Sequence, residues 1–259
     1  LPVQYFKWLS LAVRGDFGYS ITNRQPVSEL IMQRMPQTLV LMVTAEVVII
    51  ALSALLGIYS AIKQYSVFDN VLTGLSFVGF SLPIFFIALT LMFIFAVQFK
   101  VWGLPYLPTG ADVWEFTDLP ELARHLVLPV ASLAIIQVAG YTRYLRSSML
   151  EVLSQDYIRT ARAKGLVEQA VVVRHALKNA ALPLVTLIGL DAPALLAGAI
   201  VTETVYSWPG MGRLFWQQAG RGDYPTVMAI LLIVATAVVF FQIITDVAYT
   251  LIDPRIRLS

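Results

Sequence analysis

The chain has 259 residues, of which 58% are hydrophobic and only 13% charged, against about 45–50% and 25% in soluble domains. A water-soluble domain of that size has no way to hide so much apolar surface, so lipid must cover part of it. A net charge of +2 is too small for an electrostatic nucleic-acid binder, and the lack of cysteine excludes disulfides and thiolate metal sites.

Residues 1–37 read as an external interfacial segment. Tyr5, Phe6, Trp8 and Leu9 suggest a short amphipathic helix, and 14–20 (Arg-Gly-Asp-Phe-Gly-Tyr-Ser) is a glycine-punctuated turn. The Arg14-Gly15-Asp16 triplet is too short a match, beside a span, to support an adhesion motif. The chain begins at Leu1, not methionine, and 1–36 carries no secretory signal pattern, so a further segment is expected upstream.

Residues 38–259 read as a membrane domain, all-α, a polytopic helix bundle. Crossing the hydrocarbon takes about 20 residues of helix. Five runs qualify: 38–62, 71–97, 126–145, 184–206 and 227–252. The first is interrupted by Glu46 and the second by Pro83, a kink site. The third is the weakest, with Pro129 near its start and Arg143 near its end. The fourth carries Asp191, Pro193 and Glu203, and the fifth carries Asp246.

Loop charge orients these spans. Residues 99–125 hold Lys100 and Arg124 against Asp112, Glu115, Asp118 and Glu121, whereas 143–178 hold seven basic residues against three acidic. The second loop is therefore expected inside and the first outside. Parity then places 1–36 and 207–226 outside, and 63–70 and the tail 253–259 inside. Arg255 and Arg257 of the tail agree, while Lys7, Arg14, Arg24 and Arg34 run against the rule.

The segment 145–183 is the most informative. Met149, Leu153 and Tyr157 recur every fourth residue, beside Ile158 and Ala161, which predicts a helix over 149–165 with one apolar stripe. Gly165 is placed to end it in the left-handed conformation, and a second helical stretch, 166–181, runs into Pro183. On composition alone this could be an ordinary inner loop whose basic side chains reach lipid headgroups.

The wording of the segment goes further. Residues 156–165 (Asp-Tyr-Ile-Arg-Thr-Ala-Arg-Ala-Lys-Gly), then Arg174-His175-Ala176-Leu177-Lys178-Asn179-Ala180 and Leu182-Pro183, closely resemble the permease subunits of ABC importers, in their dipeptide/oligopeptide/nickel branch. Arg159-Thr160-Ala161 stands where the wider family has Glu-Ala-Ala, and the gap from Gly165 to Leu182-Pro183 is long, as in the peptide branch. The outer phrase from Glu203-Thr204 to Ser207-Trp208-Pro209-Gly210-Met211-Gly212, with Arg221, Asp223, Tyr224 and Pro225, and the ending Asp253-Pro254-Arg255, fit the same family.

The resemblance implies a type I ABC importer permease fold in a bacterial inner membrane, with a sixth helix upstream and the C-terminus in the cytoplasm. It implies a coupling region at 146–182 that docks on an ATPase through Asp156, Tyr157, Arg159, Ala161, Arg162 and Gly165. It further implies an outer-mouth loop around Trp208, Pro209, Gly210 and Gly212. The implied partners are a second homologous permease, a different chain as is usual in the peptide branch, with two ATPase subunits, an extracytoplasmic substrate-binding protein and lipid.

No phosphate-cradling glycine loop, nucleophile elbow or metal-ligand spacing occurs, and His125 and His175 are far apart. No enzymatic role, metal or cofactor is therefore expected of this chain, and ATP with Mg is expected on the partners. A carboxylate within hydrocarbon is costly unless it faces water or a partner. Glu46, Asp191, Glu203 and Asp246 are thus candidates for a substrate pathway, each with an alternative as a helix–helix or interfacial contact. The leading expectation is an ATP-driven importer of small peptides. The alternative is an ion- or proton-coupled secondary transporter using Asp191 and Glu46.

Overall fold

A computed structural model describes residues 2–110 and 118–252, and those residues form ten helices. They are α1 Pro2–Ala12, α2 Val27–Ile62, α3 Val67–Ser81, α4 Ile84–Val101, α5 Leu119–Leu153, α6 Asp156–Ala163, α7 Glu168–Ala180, α8 Leu182–Val205, α9 Met211–Gly220 and α10 Tyr224–Ile252. Among the described residues the extended structure is confined to one isolated bridge, Tyr19 with Pro26. Asp112, Glu115 and the tail 253–259 lie outside the described residues, as do the side chains of Pro193 and Asp246.

Among those residues, α2, α4, α5 and α10 are long and apolar enough to cross a membrane. A fifth crossing follows if α7 and the start of α8, bent by 46° at Ala181, form one span. Two expectations need correction. The run 71–97 is not one helix: α3 stops at Ser81 because Leu82 is extended (φ −93°, ψ 134°), the conformation that a following proline imposes. The helix expected over 149–165 is also split. Its first turns continue α5, which runs 35 residues to Leu153, and Gln155 is extended (φ −71°, ψ 150°) before α6 begins.

The chain forms two compact units, and α2, α5, α8 and α10 each give one end to each unit. The first unit comprises 1–44, 84–132 and 193–239. Its main core joins Val27, Leu30 and Ile31 of α2 to Met211 and Leu214 of α9 and Ala229 and Ile230 of α10. A smaller core joins Ala88, Leu128 and Tyr206, whose hydroxyl donates to the Ala88 carbonyl at 2.9 Å. The second unit comprises 45–83, 133–192 and 240–259. Leu145, Met149, Ile158, Val171 and Ala176 are buried there at 1% exposure or less, so α6 and α7 pack onto the end of α5.

Candidate functional site

In the second unit, the chain leaves α5 through a short break. Ser154 Oγ donates to the Glu151 carbonyl at 2.7 Å, and the Ile158 amide donates to the Gln155 carbonyl at 3.1 Å to open α6. Ile158 and Ala161, three apart on one helix face, are buried against the rest of the unit. Gly165 ends the helix at φ +78°. Its amide donates to the Arg162 carbonyl and the Leu166 amide to the Ala161 carbonyl, the paired bonds of a Schellman cap. The left-handed glycine expected from the sequence is therefore present.

The opposite face of α6 is open. The Asp156 and Arg159 side chains are 95% and 74% exposed and meet only at 3.4 Å. Arg162 forks onto Glu168 at 2.6 and 3.1 Å, which ties α6 to α7, and Arg162 holds the Glu168 carboxyl below its ordinary range. Tyr157 accepts from Asn179 Nδ2 at 3.0 Å, a second tie from α6 to α7. Past the glycine, Leu166 and Val167 stand 43% and 71% exposed. A charged helix with apolar residues at its corner, rigidly capped and uncovered, has the make-up of a docking element.

The four span carboxylates separate. Both Glu46 oxygens are buried and have no hydrogen-bond partner. Tyr141, 2% exposed, also has a hydroxyl without a partner. Tyr141 lies within electrostatic reach of both Glu46 and Asp191, and Glu46 within reach of Asp191. Glu46, Tyr141 and Asp191 therefore form one polar neighbourhood in the second unit, with Tyr141 beside Asp191 but not closing a hydrogen bond of ordinary geometry. Glu203, in the first unit, is wholly buried and fully engaged. It accepts from Thr38 Oγ1 at 2.7 Å and from the Arg213 amide at 2.9 Å. Asp246 lies in α10, and its side chain is outside the described residues.

Glu203 organises the outer-mouth loop. Thr38 Oγ1, while donating to it, accepts from the Met211 amide at 2.8 Å. The Trp208 amide donates to the Glu203 carbonyl at 2.8 Å, and its indole donates to the Gln37 carbonyl at 3.0 Å. Arg213 donates to the Ser207 carbonyl at 2.6 Å, and Arg34 to the Pro209 carbonyl at 3.4 Å. A Cβ at Gly212 would lie 2.7 Å from the Ile200 Cα. Trp208, Pro209, Gly210 and Gly212 thus hold a tight corner between α8 and α9.

Two clusters escaped the sequence reading. Asp69, 1% exposed, takes Arg146 Nε and Nη2 on its two oxygens, both at 2.6 Å, and also accepts from Ser60. The signal was Ser66-Val67-Phe68-Asp69 ahead of an apolar run, a capping-box spacing: Ser66 Oγ accepts from the Asp69 amide at 3.2 Å. In the first unit, Asp223 accepts from Ser20 Oγ, from the Ile21 amide at 3.2 Å and from Thr22 Oγ1 at 3.0 Å. Its partners lie about two hundred residues away in sequence, with no local signal.

Comparison with known proteins gives a consistent picture. Residues 53–258 match the family model described as "Binding-protein-dependent transport system inner membrane component". The chain is 44% identical over 258 residues to the oligopeptide transport system permease protein AppB of Bacillus subtilis (strain 168), covering 98% of this chain and 80% of that protein. It is 39% identical over 272 residues to the dipeptide transport system permease protein DppB of Escherichia coli (strain K12), with coverages of 98% and 80%. Among solved structures it is similar to a chain of the inward-facing MetNI methionine ABC transporter, with TM-score 0.66, 14% identity and coverages of 86% and 96%. A chain from an amino acid ABC transporter gives TM-score 0.60, also at 14% identity, with coverages of 86% and 94%. At that identity the likeness is one of fold.

Proposed function

Since the chain belongs to the family of binding-protein-dependent transport system inner membrane components, we propose that it is the membrane-spanning subunit of an ATP-driven importer of di- or oligopeptides. The observation that carries the mechanism is the open face of α6: a capped, charged helix held at both ends and left uncovered by the described residues. Two ATPase subunits carrying ATP and Mg grip that face, and their closure moves the helices joined to it. A second homologous permease completes the pore, and an extracytoplasmic binding protein delivers the peptide. The basic loop and the C-terminus lie in the cytoplasm.

Within the pore, Glu46 and Asp191 offer negative charge to the passing peptide's amino terminus. Glu46 fits that role because its oxygens are otherwise unpartnered. Glu203 is committed to the loop and acts by holding it. Use of Glu46 and Asp191 as ion sites in a gradient-driven transporter would leave the open α6 face without a purpose.

The test is charge reversal on the open face in the assembled transporter. Asp156→Arg changes a side chain that is 95% exposed, so folding shifts by less than about 0.5 kcal/mol. The variant should reach the membrane at normal abundance, lose peptide uptake and retain ATP hydrolysis that no longer responds to substrate. Normal uptake would refute the coupling role, and uptake sustained by an ion gradient without ATP would refute the transporter class.

A further inference from the structure

The second unit contains a cleft that none of the roles above uses. It lies among the end of α2, the stretch of α3 from Leu72 to Phe80 and the stretch of α5 from Ala139 to Arg146, with a volume of about 80 Å³. That is several times the ~10–15 Å³ that one water needs by the same measure. Hydroxyls of Ser60, Thr73, Ser76 and Thr142 line it, with Arg143 and Arg146 at its edge.

Three of these polar groups are committed. Ser60 donates to Asp69, Ser76 donates to the Leu72 carbonyl at 2.8 Å, and both forks of Arg146 end on Asp69. Two are not. Thr142 is 2% exposed and its hydroxyl has no partner. Arg143 has no carboxylate within ion-pair distance among the described residues. Its guanidinium lies 5.8 Å from the Phe80 ring and 5.7 Å from the Tyr144 ring. A free cation and a buried free hydroxyl on one cavity describe a site for an anion.

The walls say which anion. Phe77 and Phe80 line the cleft and stand 59% and 62% exposed on the short apolar helix α3. They suit an acyl chain and offer nothing to a hydrated ion. A zwitterionic headgroup would need a carboxylate for its ammonium, and Asp69 is already spent on Arg146. We propose that this cleft binds an anionic phospholipid of the inner leaflet, with its phosphate on Arg143 and Thr142 and its chain along Phe77 and Phe80. The leaflet assignment rests on the orientation proposed above, while the headgroup selectivity does not.

The experiment uses the whole transporter, purified with its partner subunits and titrated with phosphatidylglycerol or phosphatidylethanolamine under native mass spectrometry. The wild type should hold phosphatidylglycerol in preference. Arg143→Gln should weaken it about five-fold, the ratio that corresponds to ~1 kcal/mol for one basic side chain at an anionic surface. Arg143→Lys should restore most of the binding. Thr142→Val, which alters no charge, should also weaken it and serves if Arg143→Gln fails to assemble. Equal binding of the two lipids, unchanged affinity in both variants, or displacement by millimolar inorganic phosphate would overturn the site. Labelling of Lys63→Cys from the outer side would overturn the orientation alone, leaving the lipid preference to stand or fall separately.

Discussion

Arg146 grips Asp69 with two parallel bonds of 2.6 Å, and the carboxylate it grips is 99% buried. The pair joins the start of α3 to the stretch of α5 that leads to α6 and α7. Its worth lies in position more than in net stability, since taking two charges out of water offsets most of their attraction. Breaking it is another matter. Asp69→Asn strands a partly buried guanidinium and should cost about 3–5 kcal/mol, measured as a drop in the thermal midpoint of the solubilised complex. The charge swap Asp69→Arg with Arg146→Asp should recover part of that loss.

The same pair sets an acid limit. The bonds from Arg146, against the opposing effect of burial, hold the Asp69 carboxyl well below the usual carboxylate range. A carboxyl whose folded value lies below its unfolded value contributes stability that is full above about pH 5 and drains as pH falls through and beneath the carboxylate range. Stability should therefore decline on acidification, and Asp69→Asn should flatten that decline.

Asp223 makes the corresponding prediction in the first unit. Burial pushes its carboxyl up, but bonds from Ser20, Ile21 and Thr22 outweigh burial and leave it lowered. Its contribution is likewise present above the carboxylate range and lost as pH falls below it. Ser20→Ala and Thr22→Val should each cost about 1 kcal/mol, read as faster proteolysis of the segment before α2. A protease rate equal to wild type would show that the contact holds nothing in place.

Two glycines should respond differently to alanine. At Gly165 the added carbon meets nothing within 4 Å, so only the positive φ of 78° is strained, at about 1–2 kcal/mol. At Gly212 it meets Ile200 backbone atoms at 2.7 and 2.9 Å, which no rotamer change relieves. Gly165→Ala should assemble with a slightly lowered midpoint. Gly212→Ala should misplace α9 and fail to assemble, as seen by size-exclusion chromatography of the solubilised transporter.

Glu46 tests function against structure. A carboxyl with both oxygens buried and unpartnered contributes no bond to the fold, so Glu46→Leu should leave stability unchanged or raise it by about 1 kcal/mol or more. Peptide uptake should fall at the same time. A loss of stability with uptake per assembled transporter unchanged would make Glu46 a packing residue.

Composition was enough to require a membrane, and spacing was enough to find the long apolar helices and the glycine corner, though not the breaks at Leu82 and Gln155, because composition and spacing report local properties of the chain. Gly165 is legible for that reason: only a residue free to take a positive φ suits a Schellman cap. The break at Gln155 was not legible, since the apolar stripe continues across it while the backbone does not. The fates of the carboxylates were beyond the sequence altogether. Glu46 and Glu203 look alike as carboxylates in apolar runs, yet one is left bare and the other is saturated by Thr38 and Arg213. Which of them is free depends on neighbours brought in from 165 residues away in sequence. Packing alone chooses such partners, because a hydrogen bond requires atoms within about 3 Å and the order of residues along the chain says nothing about that distance.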